Sequence, residues 1–166
     1  MIGPVAAVRD EAKQRQLAGG LALASAIVAF IGVGQTWLRI TISGIHAPGS
    51  AQTGWDGRDG WTVAVAAAVA AAAAVGILIG RREAWLRVAL FVAGATMIVV
   101  ALVNLAGIRS KANDVHVLFG IATSDVRAEV GVGLVLIAFA SVGIIGGAVA
   151  AHALRVQATD AAPQVK

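Results

Sequence analysis

Four apolar stretches, at about Leu17–Trp37, Trp61–Gly80, Trp85–Gly107 and Val130–Ala151, constrain this chain more than any other feature. At 1.5 Å of helix rise per residue, about 20 residues cross the roughly 30 Å hydrocarbon core of a bilayer. No carboxylate, lysine or arginine falls in the interior of any of the four. The predicted fold is therefore all-α and membrane-embedded: a four-helix transmembrane bundle of two hairpins, with short extended segments in the two outer loops. Residues 1–16 form a basic N-terminal segment, 17–151 the transmembrane domain, and 152–166 a flexible tail.

Composition supports the same class. Of 166 residues, 58% are hydrophobic and 13% charged, a balance that a soluble domain of this size cannot hide from water. Four spans and two loops use nearly the whole chain, leaving no length for a separate soluble domain. The net charge of +4 sits at helix ends and not in a stripe with interleaved aromatics, which argues against nucleic acid. With no cysteine, disulfides, thiolate metal sites and thiol redox chemistry are all absent. Arg9, Lys13 and Arg15 before the first span resemble the preface of a secretory signal. The apolar run continues through Val33, too long for a cleaved segment, so a retained helix is expected.

The basic residues alternate between gaps. Arg9, Lys13, Arg15, Arg81, Arg82, Arg87, Arg155 and Lys166 lie at the termini and second connection; Arg39, Arg58, Arg109, Lys111 and Arg127 lie in the two long connections. That is eight against five, and Asp56, Asp59, Asp114, Asp125 and Glu129 leave the long connections neutral overall. Positive charge resists translocation, so both termini and the Arg81–Arg87 turn are expected in the cytoplasm of a plasma-membrane protein. Trp37, Trp61 and Trp85 fall at expected membrane–water boundaries, where an indole is comfortable. Trp55 lies within the first long loop and needs a different partner.

That loop opens Leu38-Arg39-Ile40-Thr41-Ile42-Ser43, alternating apolar and polar as a half-buried strand does, until Gly44, Pro48 and Gly49 break it. In the third connection, Val115-His116-Val117-Leu118-Phe119 is β-branched and aromatic. These two segments are expected to be extended and to pair over the helix ends, since an isolated ribbon is marginal. Ser124-Asp125-Val126-Arg127 with Glu129 has the look of a helix start, with an acid in the first turn.

Within the spans the notable residues are small. The second is alanine-rich and carries Gly76-xxx-Gly80; the fourth carries Gly143-xxx-Gly147. Small residues let backbones approach closely, which is how packing is gained in lipid. These four glycines are the expected helix-packing positions, within one chain or between copies, and the second span is expected in the middle of the bundle.

No chemistry-bearing constellation emerges. Spanning interiors offer only Ser25, Thr96, Asn104 and Ser141, so a proton-coupled transporter lacks its ionisable groups. Asn104, near the outer end of its span, suits a helix–helix or backbone hydrogen bond. No histidine pair lies in the spans to hold haem. His46, Asp114 and His116 in the loops could meet as a metal or base–orienter site, or stand solvated. Gly54-Trp55-Asp56-Gly57-Arg58-Asp59-Gly60-Trp61 is the most unusual string. Asp59 suits an N-cap and Asp-Gly a turn. Trp55, Asp56 and Asp59 are also the candidate outer-face recognition residues, with Trp55 either contacting a partner or folding onto the helix ends. Neither catalytic residues nor a cofactor or metal are expected.

Gln35-Thr36-Trp37 at a helix end, a short strand to Gly44, a second span, Arg81-Arg82 with Trp85-Leu86-Arg87, and an apolar third span resemble small four-span actinobacterial membrane proteins. The layout is similar to that of the tryptophan-associated transmembrane proteins, a group without an established biochemical activity. The opening is also similar to claudin-like architecture, although the paired loop cysteines of that family are missing. The resemblance covers layout and implies no functional residue. The functional expectation is a non-catalytic accessory or scaffold component of a membrane or envelope complex, with the lipid bilayer and another membrane or envelope protein as partners. The alternative is an oligomeric small-solute channel or facilitator, built as a homo-oligomer.

Overall fold

The computed structural model describes residues 4–42, 45–81, 83–119 and 126–160, with side chains placed for 12–41, 51–81, 83–108, 110 and 127–153. Four helices, α1 (Pro4–Gly34), α2 (Arg58–Leu78), α3 (Ala84–Phe119) and α4 (Val132–Asp160), accompany three strands, β1 (Thr36–Ile42), β2 (Ile45–Thr53) and β3 (Val126–Val130). A 3-10 turn, Gly54–Asp56, joins β2 to α2. The apolar parts Ala12–Gly34, Arg58–Leu78, Ala84–Ile108 and Val132–Ala153 are each long and apolar enough to cross a membrane. Even the shortest, at 21 residues, rises about 31 Å as a helix.

α1 packs against α2 and α4, and α3 against the same two, so α1 and α3 stand diagonally opposite. α2 thus occupies one corner and not the middle, although half of its apolar length is buried against neighbours. Its buried positions, among them Gly60, Val63, Ala64, Ala67, Ala70, Ala74 and Ile77, recur at the three- and four-residue spacing of a helix face. The centre is filled by Leu86, Leu90, Met97, Leu134, Ile137 and Ile144. Ser141, fully buried, donates to the Ile137 carbonyl at 2.6 Å. Among the described residues no buried side-chain polar atom lacks a hydrogen-bond partner.

The four packing glycines divide. A Cβ at Gly147 would stand 2.9 Å from both the Ala18 carbonyl oxygen and the Ala22 Cβ, and one at Gly143 would overlap the Ser25 hydroxyl, so both lie at the α1–α4 contact. Gly76 faces Leu86 at the base of α3. Gly80 has a different job. With φ +92° it ends α2, while Gly80 N–H donates to Ile77 and Arg81 N–H to Gly76, the paired bonds of a Schellman cap. A left-handed residue cannot sit on a packing face of the helix it terminates. Arg15 of α1 reaches this turn.

The sheet lies at the opposite end and differs from the expected ribbon. β1 is central, antiparallel to both β2 and β3 in the order β2-β1-β3. Val115–Phe119, expected to be extended, belongs to α3, whose backbone hydrogen bonds continue to Phe119. Val126–Val130, expected as the start of the fourth helix, takes the free edge of β1, with Leu38 opposite Val130 and Ile42 opposite Val126. The spans shift accordingly. α1 stops at Gly34, α2 starts three residues before Trp61, and α4 starts at Val132 and runs to Asp160 through much of the expected tail.

Two irregularities shape β1 and β2. Between Thr36 and Leu38 the register slips by one residue, so Trp37 is a bulge. The bulge turns both Trp37 and Leu38 inward, and both are buried. Between Arg39 and Thr41 the partner strand carries extra residues, where Pro48 and Gly49 interrupt the ladder.

Candidate functional site

The sheet end of the bundle closes on Trp37. Its indole is buried, and Nε1–H donates at 2.9 Å to the Gly32 carbonyl in the last turn of α1, which also accepts from the Gln35 amide at 3.2 Å. Trp37 is therefore a plug and not the boundary anchor expected from its position. Trp61 and Trp85 are exposed near opposite ends of the bundle, as anchoring requires.

The Gly54–Trp61 string wraps over this plug. A Cβ at Gly54 would stand 2.7 Å from the Trp37 ring, and one at Gly60 would overlap the Gly54 backbone. These two glycines bring the 3-10 turn, the first turn of α2 and the buried indole into mutual contact. Inside the turn, Asp56 Oδ2 accepts from the Thr53 amide at 2.6 Å and from the Thr53 hydroxyl at 2.9 Å. Those two hydrogen bonds to the charged form hold the Asp56 carboxyl below its usual value, against a small opposing effect of desolvation. Asp59 is not an N-cap: α2 begins one residue earlier, with Gly57 as its cap, and Asp59 lies in the first turn. Its carboxylate instead accepts from Asn104 Nδ2 at 2.9 Å, tying α2 to α3; the same nitrogen donates to the Val100 carbonyl at 3.0 Å.

Between the turn and the helix ends lies a polar recess of about 210 Å³. Gln52, Thr53, Asp56, Arg58, Asp59 and Asn104 line its walls, and Trp37, Leu38, Ile108 and Leu134 its floor. The candidate residues thus separate. Asp56 and Asp59 line the recess, whereas Trp55 stands apart, its ring edge-on to Phe30 at 6.0 Å and to Trp61 at 5.0 Å. Trp55 is about one-third exposed within this aromatic cluster, on the flank between α1 and α2.

Trp37, Arg58 and Asn104 join the candidate residues here. The sequence holds a signal for the first: Trp37 and Leu38 are adjacent apolar residues where strict alternation allows one, which marks a bulge. No group of three or more His, Cys, Asp or Glu suited to a metal ion occurs among the described residues. His46 lies in β2 opposite Thr41, while Asp114 and His116 lie in the last turns of α3; their side chains are outside the described set. Ser124 and Asp125 also fall outside the described residues.

Among the described residues the arrangement offers hydrogen-bonding and charged groups for binding and no nucleophile–base pair. Four helices of spanning length and apolarity support a multi-pass transmembrane class. Comparison with protein-family models, with curated proteins and with solved structures finds no match to this chain.

Proposed function

We propose that this chain is a non-catalytic accessory or scaffold component of a complex in the plasma membrane, with both termini and the α2–α3 turn cytoplasmic and the sheet outside. One observation carries the reading: among the described residues the helix bundle has a closed apolar core, with its charged and polar groups at its two ends. Leu86, Leu90, Met97, Leu134, Ile137 and Ile144 fill the centre, the buried Ser141 bonds within its own helix, and Trp37 closes the floor of the recess. Such a body offers surfaces and no route through itself. The orientation rests on the eight-to-five distribution of basic residues, and Arg15 beside the Gly80 turn places two of those clusters at one end.

A specific observation favours a second reading. Only 28% of the apolar length of α3 is buried within the chain, against 44–50% for the other three, so a homo-oligomer joined through α3 is the form a channel would take. Purified protein in liposomes separates the two. The scaffold reading expects no solute or ion flux at any protein density; flux without added partners overturns it. Orientation is read in intact cells with an impermeant thiol reagent. Cysteines replacing Ser50 or Ser110 are expected to react and one replacing Arg82 to stay protected, whereas labelling at position 82 alone inverts the topology.

A further inference from the structure

Between α2 and α3 the bundle surface opens into a groove of about 530 Å³. Val65 and Val69 form one wall, Ala89, Val92 and Thr96 the other, and nearly all of the lining is apolar. Its sheet-side mouth is formed by Arg58 and Trp61, both exposed. Arg58 to Val69 is eleven steps of helix at 1.5 Å, about 16 Å, close to half of a roughly 30 Å hydrocarbon core.

Arg58 is the one charged residue of this lining, and the carboxylates nearest in sequence are engaged elsewhere. Asp56 accepts from Thr53, and Asp59 accepts from Asn104. No carboxylate pairs with the Arg58 guanidinium among the described residues. The groove therefore joins an apolar slot to a guanidinium that has no ion-pair partner among the described residues, although Asp56 and Asp59 keep their charge in the adjoining recess.

We propose that this groove binds one anionic phospholipid from the leaflet on the sheet side, with an acyl chain along Val65, Val69 and Val92 and the phosphate on Arg58. A guanidinium presents parallel N–H donors that match phosphate oxygens. The Trp61 indole sits at headgroup level, where its N–H and apolar body are both served. A transmembrane helix of a second copy would cover the same valines but brings no anion to Arg58. A phospholipid carries both an acyl chain and an anion. This inference is independent of the choice between scaffold and channel.

The test is competition. Detergent-exchanged protein is offered equal amounts of phosphatidylglycerol and phosphatidylcholine with matched long chains, and the retained lipid is counted by native mass spectrometry. The expected result is one phosphatidylglycerol held about tenfold over phosphatidylcholine, since both bring a phosphate to Arg58 but only phosphatidylcholine also brings a choline cation that the guanidinium repels. Arg58→Gln is expected to bring the two lipids to parity. Val92→Trp, which fills the groove from its exposed wall, is expected to lower retention of both about tenfold. Equal retention by the unaltered protein overturns the proposal, as does an unchanged preference in Arg58→Gln. Displacement of the lipid by millimolar inorganic phosphate, or a dimer that forms as lipid is lost, overturns it too. The first comparison needs no substitution, so a variant that misfolds leaves the question decidable.

Discussion

The α1–α4 and α2–α3 contacts join neighbouring helices of similar apolarity, yet they are built in opposite ways. Along α1–α4, Ala18, Ala22, Ser25 and Gly32 meet Gly147, Gly143 and Gly133, and the backbones touch: a Cβ at Gly133 would stand 2.5 Å from the Gly32 carbonyl oxygen. The α2–α3 pair is held at two ends, by Leu86 on Gly76 and by Asn104 on Asp59, with the groove left open between them. α2 is the richest in alanine, but its alanines are largely turned into the bundle. Close approach in lipid, where apolar surfaces gain nothing by hiding from hydrocarbon, depends on small residues facing each other on both helices. Composition of one helix alone does not produce it.

The sharpest way to break this contrast is Gly133→Leu. The added side chain meets backbone that cannot retreat, so a loss of about 3 kcal/mol is expected, read as early melting in detergent. Thr96→Leu, which puts the same side chain on the wall of the α2–α3 groove, is expected to stay within about 0.5 kcal/mol. Equal effects would erase the distinction. Trp37→Phe comes next. It removes one of the two donors to the buried Gly32 carbonyl at the sheet end of the tight pair and leaves the Gln35 amide, with an expected cost of about 1 kcal/mol in the same melting assay.

Asn104→Leu tests the looser pair. Interhelical hydrogen bonds in membrane proteins average about 0.6 kcal/mol, so only a small fall in melting temperature is expected, and Asp59→Asn together with Asn104→Leu adds little further. The smallest effect belongs to Asp56. Its folded-state pKa lies below 3.8, so its contribution is present above that value and is lost as pH falls through the lower folded one. From pH 5 to pH 3 the unaltered protein is expected to lose more melting temperature than Asp56→Asn, which has no carboxylate to protonate.

The spans were legible because length and hydropathy are local properties: the apolar parts of the four helices end within about five residues of their expected places, while α1 begins as helix at Pro4 and α3 and α4 run on to Phe119 and Asp160. The strands were harder because pairing is not local. Val126-Arg127-Ala128-Glu129-Val130 has clean period-2 alternation, but Ser124-Asp125 before it mimics a helix cap and competes for the same residues. Conversely, Ile108, Ala112, Val115 and Phe119 fall at helical spacing, a signal hidden by the β-branched run at Val115–Phe119. At the site, the Asp-Gly turn chemistry could be read directly, whereas the bond between Asp59 and Asn104 spans 45 residues and leaves no trace in sequence. Trp37 illustrates the same limit: a boundary tryptophan and a buried plug look alike until the Gly54 contact is known.

The joints of the sheet have a mechanical consequence. β1 is attached to α1 through Gln35 alone, and β3 to α4 through Gly131 alone. Gly131 is pressed so closely on Thr36 that any side chain there would overlap its carbonyl, and its amide donates to Trp37 at 2.8 Å. The five-pair β1–β3 ladder is thus a rivet across the ends of α1 and α4. A pull or twist on the sheet is transmitted to those two helices as one stiff lever. α3 has no such one-residue joint to a described strand and meets the sheet mainly by packing against β3.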